Sequence, residues 1–118
     1  MDVKEVLQTI HEEIMEYRRH LLHMKNKIED MQEIIKSIEV EQAADIASAV
    51  DENGKPLFSN ELKRQAELER RKKENTEYQK LIADLKTRKL EYDMSVIILQ
   101  GMLDKQENAR ALARMEGR

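Results

Sequence analysis

From the N-terminus, apolar residues fall at Val3, Leu7, Ile10, Ile14, Tyr17, Leu21, Met24, Ile28, Met31, Ile35 and Ile38. The steps alternate between four and three residues without a miss. Two helical turns nearly match seven residues, so these side chains form one narrow stripe suited to packing against another helix in a coiled coil. An ordinary surface helix has a wider and less regular apolar face. The ladder is expected to fail at Gln42 and Asp45. The alanines of "QAADIASAV" keep helix propensity high there, so the helix should run over about residues 2–49.

The pattern then changes. "VDENGKPLFSN", residues 50–60, holds the only proline and the only phenylalanine. Asn53-Gly54 suits a type I′ turn, because both residues tolerate positive φ. Pro56 lacks a backbone donor and restricts the residue before it, which stops a helix. Val50 on one side, with Leu57 and Phe58 on the other, allows a miniature β-hairpin. A plain loop is the expectation, since isolated hairpins are marginal in water.

Ser59 or Asn60 then caps a second helix over about 61–116. Its start, "ELKRQAELERRKKENTE", offers only Leu62, Ala66 and Leu68 for burial. Thr76 and Gln79 form a T-x-x-Q pair that marks a kink point near residue 75, within a helix expected to be continuous. The ladder resumes at Tyr78, Ile82, Leu85, Tyr92, Val96, Leu99 and Leu103, interrupted by Lys89.

This pattern predicts an all-α fold: an antiparallel two-helix coiled-coil hairpin forming a single domain. The simplest register pairs Met31 with Tyr78, Met24 with Leu85, Tyr17 with Tyr92 and Ile10 with Leu99. It leaves Ile35 and Ile38 facing Arg70, Arg71 and Lys73. A second register sets residues 40–76 apart and pairs 2–39 with 77–116. Short connections are the rule, which favours the first. Neither covers Val6, Met15, Leu22, Ile34, Leu90 or Met94. The belt Val96, Ile97, Ile98, Gly101 and Met102 therefore reads as an oligomer interface, with two hairpins forming a helical bundle as a homodimer.

Composition narrows the chemistry. Charged residues make up 38% and aromatics 3%, which suits helices sharing a seam rather than a rounded core. With no cysteine, disulfides, thiolate catalysis and cysteine-based zinc sites are excluded, and a reducing, cytoplasmic setting is expected. No apolar run approaches the roughly 20 residues a membrane span requires. His20 and His23 lie three apart with Glu16 a turn before, yet no H-E-x-x-H is present, so no metal and no cofactor are expected. Nor does any serine stand in a G-x-S-x-G context, and phosphate-binding glycine motifs are missing. An enzyme is not expected.

Residues 63–73, "KRQAELERRKK", concentrate positive charge at Lys63, Arg64, Arg70, Arg71, Lys72 and Lys73. Such a segment attracts phosphate backbones, although no aromatic side chain interleaves with it to stack bases. The block "DENGKPLFSNELKRQAELERR", with "ENARALARM" near the C-terminus, resembles small uncharacterised coiled-coil proteins of phage and prophage genomes that carry a GKPxFSNExKR-like loop. That resemblance implies a phage-related role in recombination or replication, or in antagonising a host protein. The expected function is a non-enzymatic protein-interaction module (scaffold, adaptor or inhibitor) gripping a protein partner through Leu57 and Phe58. The alternative is an accessory nucleic-acid binder using the basic segment.

Overall fold

The computed structural model describes residues 2–117, and they are helical apart from the 49–60 loop, a one-residue break at Asn75 and the ends. Three helices follow in order: α1, Val3–Ser48; α2, Glu61–Glu74; and α3, Thr76–Glu116. The chain divides into two compact units. One is built from the chain up to Lys27 and from Arg88 onward, the other from Ile28–Thr87.

Helix α1 begins at a cap: the Asp2 side chain accepts the Glu5 N–H at 2.8 Å, satisfying a donor that lacks an intrahelical partner. Its ladder is the least exposed line along the helix, with Ile10, Ile14, Leu21, Ile28 and Ile35 buried. Val3, at the start of that line, is exposed. The ladder does not fail at Gln42 as expected. Gln42 is half-buried and Ile46 beyond it is 1% exposed, the most enclosed side chain described. The Gln42 Oε1 atom is buried without a hydrogen-bond partner among the described residues.

In the first unit, α1 and α3 line three shared grooves. Val3 and Leu7 share one with Ala109 and Ala113. Lys4 and His11 share another with Gln106 and Arg110, and Met24 and Lys27 a third with Arg88 and Glu91. Numbers rise along α1 as they fall along α3.

The least exposed line of α3 runs Tyr78, Leu81, Leu85, Arg88, Tyr92, Ser95, Leu99, Met102, Gln106, Ala109 and Ala113. This corrects the ladder read from apolarity, because Ile82 and Val96 are exposed. A seam keeps a constant phase of three and four, and Arg88 and Ser95 stand at that phase. An arginine stem can lie along apolar surface with its head at the edge, so a seam tolerates it.

In the second unit, Tyr78 Oη donates to Glu39 Oε1 at 2.7 Å. Tyr78 is therefore not beside Met31, two turns before Glu39 on α1, and the simplest register is corrected. Ile35, one turn before Glu39, is buried.

The expected continuous return helix is also corrected, since Asn75 divides it. Asn75 takes an extended ψ of 98° and its N–H still bonds to Arg71 O, closing α2. Its side-chain oxygen accepts the Tyr78 N–H at 3.0 Å, opening α3. The cap is thus Asn75 rather than Thr76. Gln79, instead of completing a capping box, donates from Nε2 to Lys72 O across the break at 2.9 Å.

Candidate interaction surfaces

The 49–60 loop is ordered by its own backbone. Leu57 N–H donates to Ala49 O at 3.0 Å and Asp51 N–H to Lys55 O at 2.8 Å, with an antiparallel bridge between Val50 and Pro56. The plain loop expected here is in fact a minimal hairpin. Its turn differs from type I′, since Gly54 alone has positive φ, at +78°, and Asn53 does not. A hydrogen bond from Gly54 N–H to Asp51 O marks a three-residue loop ending in a left-handed glycine. The Asp51 carboxylate adds two bonds, accepting Asn53 N–H at 2.8 Å and Lys55 N–H at 3.0 Å. Those two bonds fasten the turn from inside, as aspartate side chains commonly do.

Leu57 and Phe58, treated alike as candidate partner contacts, separate. Phe58 is half-buried, and its carbonyl accepts a hydrogen bond from Arg64 at 3.3 Å. Leu57 is 52% exposed. Leu62, read as one of few residues for α2 to bury, is 81% exposed instead. Val50, Leu57 and Leu62 thus carry exposed apolar surface on and beside the hairpin.

Helix α2 starts at Asn60, whose side chain accepts the Lys63 N–H at 2.8 Å. Its six cations share the helix with four carboxylates, and most are engaged. Arg64 pairs with Glu61 at 3.5 Å. Arg70 bonds to Glu67 and reaches Glu74 at 2.7 Å, while Arg71 reaches Glu67 at 2.9 Å. Lys72 lies 3.6 Å from Glu69 and 4.0 Å from Glu39. Hydrogen bonds from Arg70 and Arg71 push the Glu67 carboxyl down to about 2, so it stays ionised across the physiological range. Among the described residues, Lys63 and Lys73 are the candidates that hold no ion pair. Releasing the others to phosphates means breaking bonds to carboxylates that would then oppose the same phosphates.

His20 and His23 line a groove with Met24, Lys27, Arg88 and Glu91, and the His20 ring lies 5.9 Å from that of Tyr17. Glu16 is exposed on the same helix. Among the described residues, no three His, Cys, Asp or Glu side chains are placed to hold a metal ion. Nor is any helix long and apolar enough to cross a membrane.

On α3, Ile97, Ile98 and Gly101 are exposed, as are Leu90 and Met94. Val96 is exposed nearer the seam, and Met102 turns into it, half-buried. No known protein family, curated protein or solved structure matches this chain.

Tyr78 supplies a pH test of the second unit. Burial, then the hydrogen bond to Glu39 and its charge, push the phenol up to about 12 from the ordinary value near 10. A raised folded value favours the neutral form, so the contribution is complete below pH about 10 and is lost as pH climbs toward 12. Urea midpoints should fall across that window in the wild type and fall less in Tyr78→Phe. Parallel curves for the two proteins would refute this role for Tyr78.

Proposed function

We propose that this chain is a non-enzymatic coiled-coil interaction module that folds as an antiparallel helical hairpin and acts as a homodimer. The hairpin register pairs residues 2–39 with 77–116. Tyr78 bonded to Glu39 supports it, as do the grooves that Leu7 shares with Ala109 and Met24 with Glu91. In that register Leu21 stands across from Ser95 and Ile10 across from Gln106, so each polar seam position of α3 meets a large apolar one of α1.

One observation carries the functional reading: the α1 and α3 ladders supply the seam, yet Leu90, Met94, Ile97 and Ile98 remain exposed together. Scattered apolar residues on a surface are ordinary, whereas a concentrated patch marks a contact. Leu57 and Leu62 offer a second such surface for a protein partner, in keeping with a scaffold, adaptor or inhibitor. The loop's resemblance to phage coiled-coil proteins supports a phage-related, cytoplasmic setting.

Light scattering over a concentration series, with a DNA and RNA titration at low salt, tests this reading. The expected result is a dimer that binds neither nucleic acid, because the cations of α2 are largely engaged. A monomer that binds nucleic acid, with affinity falling steeply as salt rises, would overturn it in favour of the accessory nucleic-acid binder.

A further inference from the structure

Gln106 is buried in the first unit, 9% exposed, yet its side chain holds no hydrogen bond among the described residues. A buried amide without partners carries a desolvation cost, and folded proteins normally give such a group a partner. Gln106 lines a groove of about 450 Å³ between α1 and α3, and a ligand reaches its amide from there. Lys4, Leu7, Gln8, His11 and Arg110 complete the lining, and all belong to the first unit. Lys4, Gln8 and His11 are spaced by four and three residues, so they share one side of α1. Gln106 and Arg110 stand one turn apart on α3.

Charge sets this groove apart. Four other surface grooves each include a carboxylate, with Glu77, Glu91, Glu33 and Glu116 among their linings. No carboxylate lines the groove at Gln106. Five side chains able to donate hydrogen bonds, two of them fixed cations, line it instead.

We propose that this groove binds a phosphate group, as inorganic phosphate or as the end of a small phosphate monoester. A phosphate monoester carries about −1.5 to −2 charge at pH 7 and three strong acceptor oxygens, matching Lys4 and Arg110 in charge. A carboxylate brings a single charge and only about four lone-pair sites, too few for the five donors. The side chains of Lys4 and His11 are exposed and hold no ion pair or hydrogen bond among the described residues. They can therefore engage a ligand without first giving up a partner.

Two carboxylates touch the lining from outside. Glu107 stands 4.0 Å from Arg110 and nearer, at 3.2 Å, to Arg114. Glu12 accepts one amide hydrogen of Gln8 at 3.0 Å. A surface ion pair as long as the first is weak, and the second leaves Gln8 a further N–H, so neither closes the groove to an anion. The site lies within one chain and does not depend on the self-association proposed above.

Nitrogen–proton NMR of the full chain tests the site. Inorganic phosphate and glycerol 3-phosphate are titrated at constant ionic strength, with sodium chloride and acetate as controls. The Gln106 side-chain amide and the backbone amides of Gln8 and His11 should shift saturably with phosphate and stay in place with the controls. Tighter binding of one phosphate than the other identifies which source the groove fits. Lys4→Gln and Arg110→Gln replace exposed side chains, and each should raise the dissociation constant about tenfold. Gln106→Leu should weaken binding as much, with helicity unchanged by circular dichroism; the exposed pair keeps the test standing if this seam variant unfolds. Lys27→Gln, in the groove beside His20 and His23, should bind as the wild type does. Shifts that chloride reproduces, acetate binding as tightly as phosphate, or wild-type affinity in Lys4→Gln or Gln106→Leu would each overturn the proposal.

Discussion

Replacing Ile14 with aspartate is expected to unfold the protein at room temperature. Ile14 is 2% exposed, in the middle of the α1 stripe that faces α3 in the first unit. Truncating such a side chain to alanine typically costs 2–5 kcal/mol, from lost burial and the cavity left behind. Aspartate adds the cost of an unpaired charge inside the seam. Domains of this size hold only about 5–15 kcal/mol in total, so the sum exhausts most of the margin. Helicity followed by circular dichroism at 222 nm in a urea series gives the answer. Leu22→Asp is the control, since Leu22 is exposed on the same helix and should change stability by about 0.5 kcal/mol or less. Equal midpoints for Ile14→Asp and the wild type would show that the stripe is not the source of stability.

Ile97→Glu is expected to give the opposite signature, with the helix intact and the oligomer lost. Ile97 is 71% exposed and contributes little to the seam of its own chain. Glutamate is a better helix former than isoleucine, so α3 should not weaken locally. Between two copies, however, the change sets two carboxylates beside the apolar patch they must desolvate. The dimer dissociation constant should rise at least tenfold, about 1.4 kcal/mol. Sedimentation should show monomer where the wild type is dimer, and the thermal midpoint should lose its dependence on concentration. A variant that still sediments as the wild type would exclude this face from the contact.

The two substitutions differ because apolarity alone does not say which side of a helix is occupied. On α1 it nearly does, since the stripe is unbroken and the rest of the helix is polar. On α3, apolar residues occur on nearly every side around "SVIILQGML". Choosing the most apolar residue at each step led to Ile82 and Val96, whereas the seam uses Leu81 and Ser95. Gln42 shows the same limit: its polarity signals the end of a ladder, yet the chain half-buries it and buries Ile46 beyond.

The candidate sites divide along the same line. Asn53-Gly54 and Pro56 are visible as a turn because their constraints are local, yet the turn type depends on Asp51 fastening Asn53 and Lys55. Positive charge over 63–73 is equally plain. That Arg70 and Arg71 share Glu67, and that Lys72 approaches Glu39 from another helix, follows from helical spacing in the first case and from chain reversal in the second.

By itself the sequence determined the helical class, the stripe of α1 as far as Ile38 and the place of the turn at 50–60, because periodicity, capping and φ restriction act within a few residues of the chain. Only the tertiary structure decided which residue stands across from which. Register depends on both helices at once, and a bond such as Tyr78 to Glu39 joins positions 39 residues apart that no local rule compares. The same placement decided that Phe58 turns inward while Leu57 and Leu62 stay in water. Burial is a property of what lies opposite a side chain, not of the side chain alone.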